Sequence, residues 1–290
     1  MADGTTGTLA LALPDMIQGA RLFEEYEMMV PKTFDRTNLP RGQGNIYNEI
    51  RTGQIVAQGI TETTVNDNAQ LAALTLFSVT PSMSQVMTRM TDKTFRRLSG
   101  NVAATLGRGS QLAMNRKLDQ DCIAQFATAG TTLCGTGAVL NGGHISAAVA
   151  NIRGNATETG MNAGPIHASL HPFGIKYLQD EILQGVGTYN VQHGLTEEFY
   201  KRGFNGSVAG ANVWSMGNIA IDSTPDARGA VYAQKAFLLV RELELKTETR
   251  RRPDVGGGAD EVFMTGGWAA GKRSDNWLRG ILHGATAPTS

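Results

Sequence analysis

The chain has 290 residues with 26 basic and 26 acidic side chains, so its formal net charge is zero. This balance argues against a dedicated nucleic-acid-binding protein, which usually carries a basic excess. The charged fraction of 18% is low for a soluble domain. A weakly charged surface with 35 glycines is typical of a chain whose broad areas face other protein.

The two cysteines, Cys122 and Cys134, form no CxxC motif and no disulfide framework. They predict synthesis in a reducing cytoplasm. The N-terminal residues have no basic region and only a short apolar run, so no signal peptide is predicted. Residues 122–152 carry no Asp, Glu, Lys or Arg, but their five glycines make a poor membrane span. We therefore expect no membrane partner.

Residues 1–46 predict an N-terminal arm, because prolines and a Gly-rich stretch interrupt every element that begins there. An arm with few apolar residues must lie on another surface. Residues 47–78 predict a long β-hairpin with a turn signal at 66–68. Two strands alone are marginal in water, so the hairpin must dock elsewhere. Its apolar side chains, which are the candidate inter-subunit residues, are Ile50, Ile55, Val56, Ile60 and Val65.

A strand over 79–90 and an N-cap at Thr91-Asp92 lead into the longest predicted helix, residues 101–129. Lys117 and Asp121 form a pair four residues apart on its polar side. Asp119 and Asp121 could form an acid/base cluster with the nearby basic residues, but the solvated face of the helix is the favoured assignment. The residues predicted to form the buried stripe recur every fourth position and are Met114, Leu118, Cys122 and Phe126.

The second half of the chain mixes helices and strands. Helices are predicted at 145–152, 173–183 and 195–202, with strands at 166–171 and within 204–221. Further strands at 237–246, 261–268 and 277–283 are expected to pair with the strand before the long helix, in one sheet on which that helix packs. These elements predict an α+β fold.

The motifs that could carry chemistry are weak. Gly266–Lys272 has the spacing of a phosphate loop, but Arg273 replaces the Ser/Thr that would hold magnesium, so a hairpin turn is favoured. His167 and His171 lie about 13 Å apart if they share a strand, which is too far for one metal ion. The basic run Arg250–Arg252 is typical of a solvated turn and is the best candidate for contact with a packaged polyanion. No catalytic, cofactor-binding or metal-binding residue is predicted.

Elements that cannot bury themselves in their own subunit argue for burial between subunits. In this order of elements the chain resembles, over nearly its whole length, the major capsid proteins of tailed bacteriophages. The resemblance implies the Hong Kong 97-type fold, with an arm (1–46), an extended E-loop (47–78), a peripheral P-domain (79–141 and 229–290) and an axial A-domain (142–228). It is carried by the ribbon 47–77, Thr91-Asp92, the strand-Pro-helix 167–183, residues 203–221 and the terminal strands 261–270 and 276–285.

The function implied by the resemblance is structural. Copies would assemble as hexamers and pentamers into an icosahedral virion shell around double-stranded DNA, with weak non-specific contact to the genome. Arg250–Arg252 would face DNA or a neighbouring capsomer. Scaffolding, portal and cement or decoration proteins would be separate chains. Some members of the family cross-link an E-loop lysine to a neighbour's asparagine, but no lysine lies between Thr33 and Asp92, so we expect non-covalent assembly.

Three alternatives remain open at this point. An encapsulin-like compartment would share the fold and hold protein cargo, so particles without DNA would favour it. A Gly-rich α/β enzyme would be a monomer that turns over a small molecule. A minor or decoration protein of the virion would differ from the main subunit in its copy number.

Overall fold

A computed structural model describes residues 28–40, 42, 44–52, 57, 59–63, 74–97, 102–155, 163–186 and 206–288. Both helices and sheets are present, which confirms the α+β class. The helices are α1 (Val30–Thr33), α2 (Asp92–Arg97), α3 (Val102–Ala124), α4 (Gly142–Arg153) and α5 (Pro172–Val186). The strands are β1 (Asp35–Asn38), β2 (Tyr47–Thr52), β3 (Leu74–Val79), β4 (Ser82–Thr91), β5 (Thr132–Cys134), β6 (Ile166–Leu170), β7 (Ser207–Val208), β8 (Ala211–Ser215), β9 (Asp226–Ala233), β10 (Phe237–Arg252), β11 (Ala259–Lys272) and β12 (Leu278–Gly284).

The long helix α3 forms where the four-residue apolar repeat predicts it, and the turn 125–128 continues it as a 3-10 helix. Lys117 Nζ lies 2.6 Å from Asp121 Oδ1 on its polar side, as expected. Ahead of it, the Thr91 hydroxyl accepts the backbone N–H of Thr94 and caps α2. The four residues of the predicted stripe are all buried in one core cluster: Met114, Leu118, Cys122 and Phe126.

One face of the sheet with strand order β1-β10-β11-β4 packs against α3. The pairing of β11 with β4 is the predicted one, since the late strand returns to the strand before the long helix. β10 runs parallel to β1 and antiparallel to β11, and its register shifts twice between Arg241 and Lys246. Beyond these shifts residues 244–251 are exposed, so the far half of the sheet extends past the core.

The expectation that β12 also joins this sheet is wrong. It pairs antiparallel with β9 and parallel with β5, in a separate sheet of order β5-β12-β9-β6-β8-β7. Ile281 of β12 is buried in the core of this second sheet with Ile145 of α4 and Leu178 of α5. The six-stranded sheet therefore joins strands that the sequence placed in two domains.

Residues 28–40 of the predicted arm lie against the core of their own subunit. Val30 and Phe34 are almost fully buried in the cluster that contains the α3 stripe. The Phe34 ring stacks on Phe237 at 4.6 Å and meets Tyr232 edge-on at 5.5 Å. Two large side chains thus anchor this segment on its own subunit, although they are too few to show a periodic pattern. Residues 1–27 lie outside the described part of the chain.

Two predicted turns are strands. Gly266–Lys272 belongs to β11, where a Cβ added at Gly266 would lie 2.8 Å from the Trp268 ring and 2.9 Å from Leu245. The glycine therefore makes room for neighbouring side chains and does not form a turn. Arg250–Arg252 are the last residues of β10, and the turn follows them at 253–258. Their charges alternate across the strand instead of clustering in a loop. The helix predicted at 195–202 lies outside the described residues.

Candidate assembly surfaces

The root of the β2–β3 hairpin is held on the body of the subunit by a half-buried arginine. Arg273 Nη2 and Nε lie 2.8 and 3.0 Å from Glu49 Oε2 on β2. The same guanidinium donates to Asp35 on β1 at 2.5 Å. Burial alone would lower the pKa of Arg273, but the hydrogen bonds that it donates to both carboxylates raise this pKa above its ordinary value. One cation thus joins three segments that are far apart in sequence.

The inner face of the hairpin packs directly on β11. Phe77 and Val79 lie against Leu238 and Val240 of β10. A Cβ added at Gly271 would approach Val79 Cγ2 at 2.6 Å and Phe77 Cζ at 2.9 Å, so only glycine permits this contact. The packing of Phe77 and Val79 therefore fixes the start of the hairpin, and its orientation, against the four-stranded sheet.

The outer face of the same hairpin carries apolar side chains that nothing in the described subunit covers. Ile50 and Leu76 are partners across the two strands, so they lie side by side on one face. They are 67% and 63% exposed. Ile60, which lies between the two strands in sequence, is also 63% exposed. The other predicted contact residues, Ile55, Val56 and Val65, lie outside the described residues.

A groove lies on the sheet face opposite α3, beside the loop that leads from β1 into the hairpin. It encloses about 520 Å³ and is lined by Leu39, Met83 and Leu243, with Glu242 at its edge. Met83 and Leu243 are the two cross-strand partners of Gly267, which leaves the floor between them without a side chain. Met83 is 66% exposed, so the groove presents apolar surface to whatever occupies it.

The assignment of Asp119 to a solvated face is wrong. Its carboxylate is fully buried and accepts the backbone N–H groups of Met29 and Val30 at 3.1 and 2.9 Å. It also accepts the Asn218 amide at 2.7 Å, so it connects α3 to the arm and to the loop after β8. The signal in the sequence was its position, since Asp119 lies three residues before Cys122 and hence beside the apolar stripe. Asp121, by contrast, remains partly exposed and accepts the Trp268 indole N–H.

The basic run at the end of β10 lies among carboxylates. Arg251 donates to Asp92 at 2.6 Å and to Asp260 at 3.1 Å. Arg252 Nη2 lies 2.7 Å from Asp254 Oδ2, and this pairing lowers the pKa of Asp254 to about 2. Arg250 faces Glu261, which is itself bonded to a neighbouring arginine at 2.8 Å. The local charge is therefore largely balanced.

The two histidines at or next to β6 and the cysteine of the long helix have structural roles. His167 and His171 are buried at β6 and its end, and the nitrogen His167 Nδ1 accepts the indole N–H of Trp214 at 3.1 Å. Burial raises the pKa of the Cys122 thiol, which disfavours the nucleophilic thiolate. Within the described part of the chain, no group of three His, Cys, Asp or Glu side chains could hold a metal ion. No helix there is long and apolar enough to cross a membrane.

The two sheets, the long helix and the seated hairpin define the fold of tailed-phage capsid proteins, the Hong Kong 97-type fold. The capsid of the Helicobacter pylori bacteriophage KHP30 aligns over 98% of this chain and 100% of its own, with a TM-score of 0.67 and 11% identity. The capsid of cyanophage P-SCSP1u aligns over 91% and 90%, with a TM-score of 0.67 and 11% identity. The holo-SrpI encapsulin complex of Synechococcus elongatus aligns over 100% and 99%, with a TM-score of 0.64 and 9% identity. No protein-family model and no curated protein sequence matches the chain.

Proposed function

We propose that this chain is the major capsid protein of a tailed bacteriophage. Many copies form hexamers and pentamers, which close into an icosahedral virion shell around double-stranded DNA. The role is structural, without catalysis. The fold shared with phage capsids supports this function, and the uncovered outer face of the hairpin carries it.

The hairpin supports assembly because its two faces differ. Its inner face packs on the sheet of its own subunit, while Ile50 and Leu76 on its outer face are exposed to solvent. Leaving two large aliphatic side chains exposed forgoes about 1.5–3 kcal/mol each, which burial in a contact recovers. In our proposal this face lies across a neighbouring copy's sheet, near the groove that contains Met83 and Leu243. Interfaces of this kind repeat around each capsomer.

The proposed domain layout follows the capsid fold with one change. The E-loop is the β2–β3 hairpin, and the P-domain is built on α3 and the four-stranded sheet. The A-domain is built on the six-stranded sheet and therefore includes β5, β9 and β12 as well as β6–β8. The arm includes residues 1–27, which precede the anchored segment at 28–40.

The arginines at the end of β10 fit a contact between capsomers better than a contact with DNA. Arg251 and Arg252 are already paired with carboxylates of their own subunit. A phosphate backbone would have to compete with these bonds and would meet the nearby negative charges. Contact with the packaged genome is then weak and non-specific. Any scaffolding, portal and cement proteins are separate chains in this proposal.

Single charges placed on the hairpin test the proposal. We expect Ile50→Glu and Leu76→Glu to abolish particles and leave folded free subunits, since a carboxylate cannot be buried unpaired in the contact. The matched control is Thr75→Glu, which adds the same charge beside Leu76 at a position that points away from the outer face and is exposed. Particle formation is measured by sedimentation and negative-stain electron microscopy, and folding by circular dichroism. Assembly of Ile50→Glu and Leu76→Glu at the yield of the control would refute the proposal.

An encapsulin-like compartment is the second candidate function, because the encapsulin match covers the full length of both chains. Both functions predict closed shells, so the contents distinguish them. Nuclease-protected DNA inside particles purified from lysate supports the phage capsid. Particles that lack DNA and hold a second protein support the compartment.

A further inference from the structure

Two buried histidines lie near the start of α5, which packs on the six-stranded sheet. His171 follows β6 and immediately precedes the helix. Its Nδ1 accepts the backbone N–H of Phe173 at 3.2 Å, and its carbonyl accepts the N–H groups of Gly174 and Ile175 at 3.0 and 3.2 Å. His171 thus caps the helix with a ring nitrogen that must carry a lone pair. A protonated imidazole has no such acceptor.

His283 on β12 packs against the same helical turn. Its side chain is fully buried, and a Cβ added at Gly174 would lie 2.3 Å from its Cε1 atom. Its Nδ1 lies 2.9 Å from the Gly284 carbonyl oxygen, so the proton of the neutral ring is on Nδ1. Its Nε2 is buried and has no hydrogen-bond partner in the described structure. Protonation at Nε2 would create a buried donor without an acceptor.

The surroundings of the two rings favour their neutral forms. Burial lowers the pKa of His171, and the neighbouring His283 lowers it further. Burial also lowers the pKa of His283, although the Gly284 carbonyl and the Asp226 carboxylate act in the opposite direction. Both rings lie at the N-terminus of a 15-residue helix, where the helix dipole disfavours positive charge.

The other charged groups on the packed elements do not remove this effect. Asp226 on β9 is the carboxylate that acts on His283, and it already accepts the Gly137 N–H at 2.7 Å. Arg228 is paired in register with Leu282, so it lies on the sheet face opposite to His283. The remaining charged or titratable groups on α4, α5, β6, β9 and β12 are His144, Arg153, Lys176, Tyr177, Asp180, Glu181, His167, Tyr232 and Arg279. Lys176 is bonded to Asp180 at 2.7 Å, and Glu181 accepts the Gly142 N–H at 2.7 Å.

We propose that His171 and His283 form an acid-sensitive latch that holds the start of α5 against β12 while both rings are neutral and releases it when they are protonated. On acidification the helix loses its side-chain cap, and two cations that repel each other appear near its positive end. The latch belongs to the folded subunit and does not rest on the capsid function. In a shell, it would make contacts built on the six-stranded sheet sensitive to acid.

The direction of the pH dependence follows from the two states of the chain. In the unfolded chain each histidine has its ordinary pKa of about 6.5. In the folded chain both pKa values are lower, so the unfolded chain binds protons first as the pH falls. The stabilisation is therefore complete above about pH 6.5 and decreases as the pH falls from there toward the folded pKa values.

Histidine C2–H exchange followed by mass spectrometry measures each imidazole pKa in the full chain, assembled or free. Values below 6.5 are expected for both His171 and His283. Values at or above 6.5 for both rings would overturn the proposal. This measurement needs no variant and remains decisive even if a substituted chain fails to fold.

Backbone hydrogen exchange between pH 7.5 and 5.0, corrected for the intrinsic rate, then tests the release. We expect residues 172–186 to lose protection about tenfold for each unit by which a folded pKa is depressed. His171→Asn keeps a side-chain acceptor for the cap without the titration, so the loss should become smaller. His144→Gln, which retains an acceptor in the capping box of α4, should behave as the wild type. Equal losses in His171→Asn and the wild type would overturn the latch.

Discussion

Replacing Phe34 by alanine tests whether residues 28–40 belong to the core of their own subunit. The ring is 1% exposed and contacts three other aromatic rings, those of Phe237, Tyr232 and Phe126, at centroid distances of 4.6, 5.5 and 6.4 Å. Removing a buried phenylalanine costs about 3–5 kcal/mol, which includes the lost burial and the cavity. The three ring contacts place the expected loss toward the upper end, at about 4 kcal/mol.

Urea unfolding followed by tryptophan fluorescence measures this loss. The Ile50→Glu background keeps subunits apart, so the free energy of unfolding refers to single chains. Phe34→Leu is the matched control, because it retains much of the buried volume and should cost only about 1–1.5 kcal/mol. A loss below about 1 kcal/mol for Phe34→Ala would show that the arm is not part of this core in solution, and the reasoning would then be refuted.

Three further variants or probes test separate features. Gly107→Ala should raise the free energy of unfolding by about 0.5–1 kcal/mol, because an added Cβ lies within 4 Å of none of the described neighbours and alanine favours the helix. No change in the urea midpoint would contradict this. Asp119→Ala should lower it by about 3 kcal/mol or more, since three donors lose their acceptor at once; a loss under 1 kcal/mol would contradict the role of this carboxylate. Cys122 should resist thiol reagents at pH 8 in the native chain and Cys134, which is partly exposed, should react first; the reverse order in peptide mapping would contradict the burial of the helix stripe.

The long helix could be predicted from the sequence because its information is local. Residues four apart lie on the same face of a helix, and the apolar residues from Met114 to Phe126 keep this spacing without interruption. The pairing of β2 with β3 agrees with the hairpin predicted over 47–78, while the turn predicted at 66–68 lies outside the described residues. The side of the hairpin that meets the sheet depends on Gly271, which is nearly 200 residues away in the chain, and no local pattern contains that contact.

The wrong predictions share one physical cause: the pairing or burial of each element depends on residues that are far away in the sequence. β11 and β12 are both rich in apolar residues and glycine, and this composition does not specify which strand a sequence pairs with. The far half of β10 is exposed on both faces, so Arg250–Arg252 give no sign of a strand. Asp119 is buried because donors from positions 29, 30 and 218 converge on it, and the helix itself shows only its place beside the stripe.

A cryo-electron microscopy reconstruction of particles assembled from the wild-type chain tests the central claim most directly. We expect Ile50 and Leu76 to be buried against the four-stranded sheet of an adjacent copy in every capsomer. A reconstruction in which both side chains still face solvent would contradict the proposal that neighbouring copies complete the hairpin.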